Sequence, residues 1–197
     1  MRLVPTLFLI ALAAGAWNYV STRPISPAQG AIAPAAPVQV ERTGLPSFRM
    51  GNYDIRSAAE FSLEARVLAT ETYRRGREAE LSPIDLALGW GPMSDNAVLD
   101  RLKISQGNRF YFYRWSDRPP IPLSEIVEHS ANMHMIPATD EIKHRLDKVR
   151  VGQVVALRGY LVRVQSPDGW RWNSSMTRRD TGNGACEVVW VSDVTVR

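Results

Sequence analysis

The sequence predicts an α+β domain: a bent, mostly antiparallel sheet or partly open β-barrel with short peripheral helices, preceded by an N-terminal transmembrane helix. Three observations predict it. Leu3 to Val20 form an almost unbroken apolar run behind Arg2. Further along, apolar residues alternate with a period of two in several short stretches, separated by brief helical patterns and punctuated by Pro, Gly and Ser. The clearest strand signal comes late, in Val154 to Val164 (VVALRGYLVRV), and is closed by the turn Ser166-Pro167-Asp168-Gly169.

The first run sets the expected address. Eighteen residues of helix span about 27 Å, close to the hydrocarbon thickness of a bilayer. Arg2 at its start favours an N-terminus on the cytoplasmic side, and Trp17 and Tyr19 suit the far interface. The expectation is an inner-membrane protein with a single pass and its C-terminal domain in the periplasm. Ala14-Gly15-Ala16 offers the alternative of a cleaved signal, which leads to the same compartment.

Residues 1–22 are therefore read as a signal anchor, 23–48 as a Pro/Ala-rich linker and 49–197 as one globular extracytoplasmic domain. Pro24, Pro27, Pro34, Pro37 and Pro46 sit among small and polar residues, a composition expected of a semi-stiff tether. From Arg49 onward, 21 Lys and Arg face 19 Asp and Glu, a net charge of +2. That balance lacks the concentrated basic face of a nucleic-acid binder, so no nucleic-acid partner is expected. Cys186 is the only thiol, so no intrachain disulfide forms.

The elements follow in order. Phe61 to Tyr73 alternates as a half-buried strand. Ser82-Pro83 reads as a helix start carrying Leu86 and Leu88, and Ser94 as the cap of another short helix ending near Leu102. Arg109 to Trp115 (RFYFYRW) reads as a strand with Phe110 and Phe112 on one side and Tyr111, Tyr113 and Trp115 on the other. Ser124 is expected to cap a helix through Ile126 and Val127, and Asn132 to Ile136 to be extended. Thr139 caps a helix whose Ile142, Leu146 and Val149 share a face. Gly159 suggests a bend in a strand that serves both sides of a small barrel. Trp170 and Trp172 follow the turn, and a last strand runs from Ala185 to Val196.

A Gly followed by V-x-V-x-G, a hairpin and later strands is similar to the opening of OB-type barrels, over the last third of the chain. The run from Leu86 to Val191, with GWGPMSD, HSANMHMIP and CEVVWV, resembles a family of bacterial envelope proteins with no assigned function. That resemblance implies a location and no chemistry.

Candidate chemistry is sparse. His129 and His134 are five residues apart, which on a helix separates them by about 140° and leaves no shared face. The spacing fits no zinc pattern, so neither a metal nor a cofactor is expected. A Cys186, His134 and Asn132 arrangement can be written for a hydrolase, but Cys186 shares the parity of Val188, Trp190, Val194 and Val196. A thiol on that apolar face is desolvated and poorly nucleophilic. Ser174 and Ser175 lack a nucleophile elbow and read as turn residues. The aromatics are more telling, because Trp and Tyr anchor recognition surfaces. Trp170 and Trp172, with Arg171 between them, are the expected ligand-binding surface. The expected role is a membrane-tethered binding or assembly module without catalysis, its partner an envelope protein or cell-wall component. The alternative is an envelope hydrolase using His129, Asn132 and His134 with Cys186 or a metal.

Overall fold

A computed structural model describes residues 3–25, 30–180, 182 and 184–197; within the first helix, the side chains of residues 7–20 are described. In chain order the elements are α1 (Leu3–Thr22), β1 (Val38–Val40), β2 (Ser47–Met50), β3 (Tyr53–Thr72), α2 (Arg77–Leu81) and β4 (Ile84–Gly89). A 3-10 turn (Gly91–Ser94) leads to α3 (Asn96–Leu99), β5 (Lys103–Gly107), β6 (Phe110–Arg114), α4 (Leu123–Glu128) and β7 (Ser130–Pro137). Then come α5 (Asp140–Leu146), β8 (Val154–Gln165), β9 (Arg171–Asn173) and β10 (Glu187–Val196). The fold is α+β and sheet-dominated, with short helices around a sheet that is in part a ring.

The ring follows from one long strand. β3 runs for 20 residues and pairs antiparallel with β4 through its second half and with β8 through most of its length. β4 pairs antiparallel with β7, β7 parallel with β10, and β10 antiparallel with β8, so β3-β4-β7-β10-β8 returns to β3. Inside the ring lie Phe61, Leu63, Leu86, Met133, Leu157 and Val189, joined by Ile142 and Leu146 of α5. Thr139 caps α5, its Oγ1 accepting from the Ile142 N–H at 3.2 Å. The outer face carries two further clusters. One joins Ile55, Val164, Val188 and Trp190 to Trp170, Trp172 and Phe48. The other joins Ala87, Met93 and Ile126 to Tyr111, Tyr113 and Trp115 of the β5–β6 hairpin.

Gly159 is the point of closest approach between β8 and β10. A β-carbon there would lie 1.8 Å from the Trp190 carbonyl oxygen. Opposite it, the β10 register slips between Val191 and Asp193. This bulge reverses the strand's parity: Val188 and Trp190 face outward while Val194 joins the interior. The shared face expected for Cys186 through Val196 therefore stops at the bulge. Gly159→Ala should push the two backbones apart and cost about 2 kcal/mol, as overpacking does. The urea midpoint measures it, and an unshifted midpoint would show that this approach is not held in solution.

Four expectations need correction. Ser82-Pro83 starts no helix; Leu86 and Leu88 belong to strand β4, whose six residues are all buried, so it shows no solvated face to the eye. Asp95, not Ser94, caps α3, its Oδ1 accepting from Ala97 N–H at 2.9 Å. Pro122, not Ser124, precedes α4. Within the tract 23–48, several described residues are docked rather than free. Ala33 is buried and its carbonyl accepts from Gly91 N–H, Ile25 N–H donates to the Val151 carbonyl, and β1 adds to the edge of β3. Small side chains let this backbone lie in contact with the barrel and hydrogen-bond to it, an option that composition alone does not reveal.

The expected N-terminal helix forms as α1, with Leu7, Phe8, Leu9, Ile10, Trp17 and Tyr19 all exposed, but the expectation that it spans a membrane needs correction. Among the described residues, no helix is long and apolar enough to cross a membrane.

Candidate functional site

The β5–β6 hairpin turns through Asn108 and Arg109, both left-handed at φ 50° and 68°, between the paired residues Gly107 and Phe110. This is the two-residue turn that suits the twist of a hairpin, but it forces an arginine into a conformation that side chains disfavour. The cost is offset by what Arg109 reaches. Its N–H donates to Tyr73 Oη at 2.9 Å, and its carbonyl accepts from Asn132 Nδ2 at 2.8 Å. Its Nη1 donates to the Ser82 carbonyl at 3.0 Å and to Asp85 Oδ1 at 2.6 Å. The hairpin tip is thereby latched onto the outer face of β4 and β7.

Asp85 is fully buried and also faces His134, with Oδ2 and Nδ1 3.0 Å apart but off the line of a good hydrogen bond. The His134 ring packs on Trp172 at 4.8 Å between centroids. Guanidinium groups and rings then alternate along the hairpin edge: Arg109 over Tyr73 (3.8 Å) and Trp172 (5.7 Å), Trp172 beside Trp170 (6.1 Å), and Arg77 over Trp170 (5.0 Å) and Tyr53 (5.7 Å). Trp170 and Trp172 are consequently half-buried, so the open surface expected of both rings is reduced; Arg171 alone of the three is exposed.

Beside the latch lies a cavity of about 190 Å³. Phe110, Tyr111 and Tyr113 wall it from β6, Val127 from α4, Ser130 and Asn132 from β7, and Arg178, Asp180, Cys186 and Glu187 from the final loop and strand. Ser130 Oγ donates its one proton to the Ile126 carbonyl, so it accepts from Tyr111 Oη at 2.5 Å. Burial raises the Tyr111 pKa, keeping the phenol neutral.

Glu187 is the anomaly of the cavity. It is 1% exposed, Arg178 Nη1 donates to its Oε1, and its Oε2 has no partner. Burial pushes its pKa up to about 7 against the pull of Arg178. A carboxyl group so placed exchanges a proton near neutral pH.

The expected alternative site is brought together only in part. Asn132 Nδ2 lies 3.9 Å from Cys186 Sγ, and Gln106 Nε2 donates to Asn132 Oδ1 at 2.5 Å. His134 turns Nδ1 to Asp85 rather than to the thiol, and His129 closes α4, its Nδ1 2.9 Å from the Glu125 carbonyl oxygen. Ser174 Oγ donates to the Ser175 carbonyl, and Ser175 Oγ lies 2.5 Å from Asp180 Oδ2. Among the described residues, no group of three His, Cys, Asp or Glu side chains is placed to hold a metal. Burial pushes the Cys186 thiol up to about 11. At pH 8 it should carry roughly two hundredfold less thiolate than an ordinary cysteine and alkylate correspondingly slowly. Alkylation at the rate of a small-molecule thiol would contradict the burial.

Arg109, Asp85 and Glu187 escaped the sequence reading. Asp85 and Glu187 were detectable, each a lone carboxylate inside an apolar strand run (IDLAL and CEVVWV). Comparison with protein-family models, curated proteins and solved structures finds no match for this chain.

Proposed function

We propose that the chain is a membrane-tethered binding module acting in the periplasm. Its ligand, a segment of an envelope protein or a cell-wall component, sits in the cavity beside the β5–β6 hairpin. The aromatic-walled cavity with its buried carboxyl group carries this reading: apolar walls supply affinity and a few fixed polar atoms supply orientation. The same cavity offers a deactivated thiol, which favours binding over covalent chemistry.

Two observations support the setting. The ring order β3-β4-β7-β10-β8 is compatible with an OB-type barrel. Such barrels bind ligands on the face of their second and third strands, here β4 and β7, beneath the hairpin. Within residues 7–20 of α1, Leu7, Phe8, Leu9, Ile10, Leu12, Trp17 and Val20 are exposed, a surface that water disfavours and that lipid accommodates. Anchoring α1 at the inner membrane removes that cost and holds the barrel close by, because Ile25, Ala33 and Val38–Val40 after the helix are docked on it.

The test is photo-crosslinking in intact cells from Thr177, an exposed residue of the cavity lining, comparing the native chain with Val127→Trp. The larger side chain fills the cavity from α4 without entering the ring interior. An adduct with an envelope component is expected from the native chain, at least tenfold weaker in the variant. Adducts that survive the substitution, or that form with cytosolic proteins, would overturn the reading.

A further inference from the structure

We propose that the open face of the β5–β6 hairpin docks on the anionic headgroups of a lipid bilayer, with Lys103 and Arg114 meeting the phosphates and Phe112 entering beside them. The proposal rests on the function proposed above only for the bilayer that holds α1.

The hairpin places two like charges where a sheet disfavours them. Lys103 and Arg114 are directly paired across β5 and β6. The β-carbons of such a pair lie about 5 Å apart, and like charges there repel. Ile104 and Tyr113, the next pair, pack on the domain, so Lys103 and Arg114 point to the other side, and both are exposed. Among the described residues neither finds an ion-pair partner. The surroundings do not cancel the charge. Between residues 100 and 118, Arg109 is neutralised by Asp85. Arg101, Lys103, Arg114 and Arg118 are then set against Asp100 and Asp117 alone, an excess of two positive charges. Asp100 also offsets the buried Arg66. An anion between Lys103 and Arg114 removes a repulsion that the fold leaves standing.

The apolar surface decides which anion. Phe112 lies two residues from Arg114 on the same strand face, opposite the exposed Ser105, and is itself 51% exposed. A free phosphate leaves that ring in water. At a bilayer the two cations take headgroup phosphates while the ring enters the apolar boundary beneath them.

The place in the fold agrees. β3 runs beside the hairpin toward its tip, where Tyr73 Oη accepts from Arg109 N–H. At the hairpin base, Leu68 and Ala69 share a cluster with Leu102 and Ile104. The neighbouring Val67 carbonyl accepts from Gly152 N–H at 2.8 Å, and the Val151 carbonyl holds Ile25, three residues past the end of α1. The basic pair thus lies at the end of the barrel from which α1 leaves, within reach of a bilayer that holds the helix.

The full chain with Ser105→Cys, labelled with a polarity-sensitive dye, tests this in two kinds of vesicle. One is phosphatidylcholine alone, the other equal parts phosphatidylcholine and phosphatidylglycerol; Cys186 alkylates too slowly to compete. Leu9→Cys, labelled likewise, reports on α1. The Ser105 dye is expected to shift to the blue with the anionic vesicles and to keep its aqueous emission with phosphatidylcholine. Each Lys or Arg at an anionic surface contributes about fivefold, so Lys103→Gln with Arg114→Gln should lower the docked-to-undocked ratio roughly 25-fold and abolish the shift. Inorganic phosphate matched to the lipid phosphorus should leave the shift in place; its loss would make the face a soluble-anion site and overturn the bilayer. An equal shift in both lipids would overturn the charge match. If the Leu9 dye shifts and the Ser105 dye does not, docking fails while the anchor stands. The reverse supports docking and removes the anchor, and no shift at either position removes both. If the double variant does not fold, the two lipids compared on the Ser105-labelled chain decide.

Discussion

Asp85→Ala is expected to destabilise the domain by about 4 kcal/mol, the range for removing one partner of a buried ion pair. Asp85 is fully buried and Arg109 nearly so, and the guanidinium would keep only the Ser82 carbonyl as a polar partner on that side. His134 would lose the carboxylate it faces as well. The pair is not thereby shown to be a net source of stability, since desolvating two charges offsets most of their attraction. Replacing both, as Asp85→Leu with Arg109→Met, should therefore recover at least half of the loss. Urea denaturation of the native chain, the single and the double variant measures this directly. A double variant no more stable than Asp85→Ala would mean that Arg109 acts through its strained turn rather than through its charge.

The same substitution reports on the site. The hairpin covers the outer face of β4 and β7, and its tip is held there by Arg109 on four groups: Asp85, Ser82, Tyr73 and Asn132. With Asp85 gone, amides of residues 103–114 should exchange faster than those of the ring strands, since local opening no longer has to break the ion pair. Uniform acceleration across the domain would instead mark Asp85 as a residue of global stability only.

Particular residues show what the sequence allowed. The alternation of Tyr111, Tyr113 and Trp115 against Phe110 and Phe112 was legible because β6 has one covered and one open face: the first three pack on the domain, and Phe112 remains 51% exposed. Thr139 and the Ile142–Leu146 face were legible for the same reason, a local rule with no tertiary competitor. β4 was not, because burial on both sides removes the period on which such readings depend. The single face expected for Cys186 through Val196 broke at a bulge, where one extra residue reverses every later side chain. Trp172, His134, Asn132 and Cys186 could each be singled out by type, yet what joins them is Arg109. That residue reaches Trp172, Asn132 and Cys186 directly, and His134 through Asp85, from a left-handed turn that its own side chain does not advertise.

Glu187 should make stability fall as pH rises through neutrality, opposite to the usual behaviour of a carboxylate. Its pKa in the folded chain is pushed up to about 7 from an ordinary 4.5, burial being the cause and Arg178 the opposing pull. A group whose folded pKa lies above its unfolded one binds its proton more tightly when folded. Its stabilising contribution is fully present below about pH 4.5 and disappears as pH passes about 7. A displacement of that size corresponds to about 3 kcal/mol between those limits. Other carboxylates tilt the curve the other way at low pH; Asp168 is lowered to about 2, chiefly by hydrogen bonds from Ser166 and Arg77. The clean quantity is thus the difference between Glu187→Gln and the native chain. It should move in the variant's favour by about 3 kcal/mol from pH 4.5 to pH 8, read from urea midpoints at each pH. A difference that stays flat would mean that Arg178 holds the carboxylate ionised throughout.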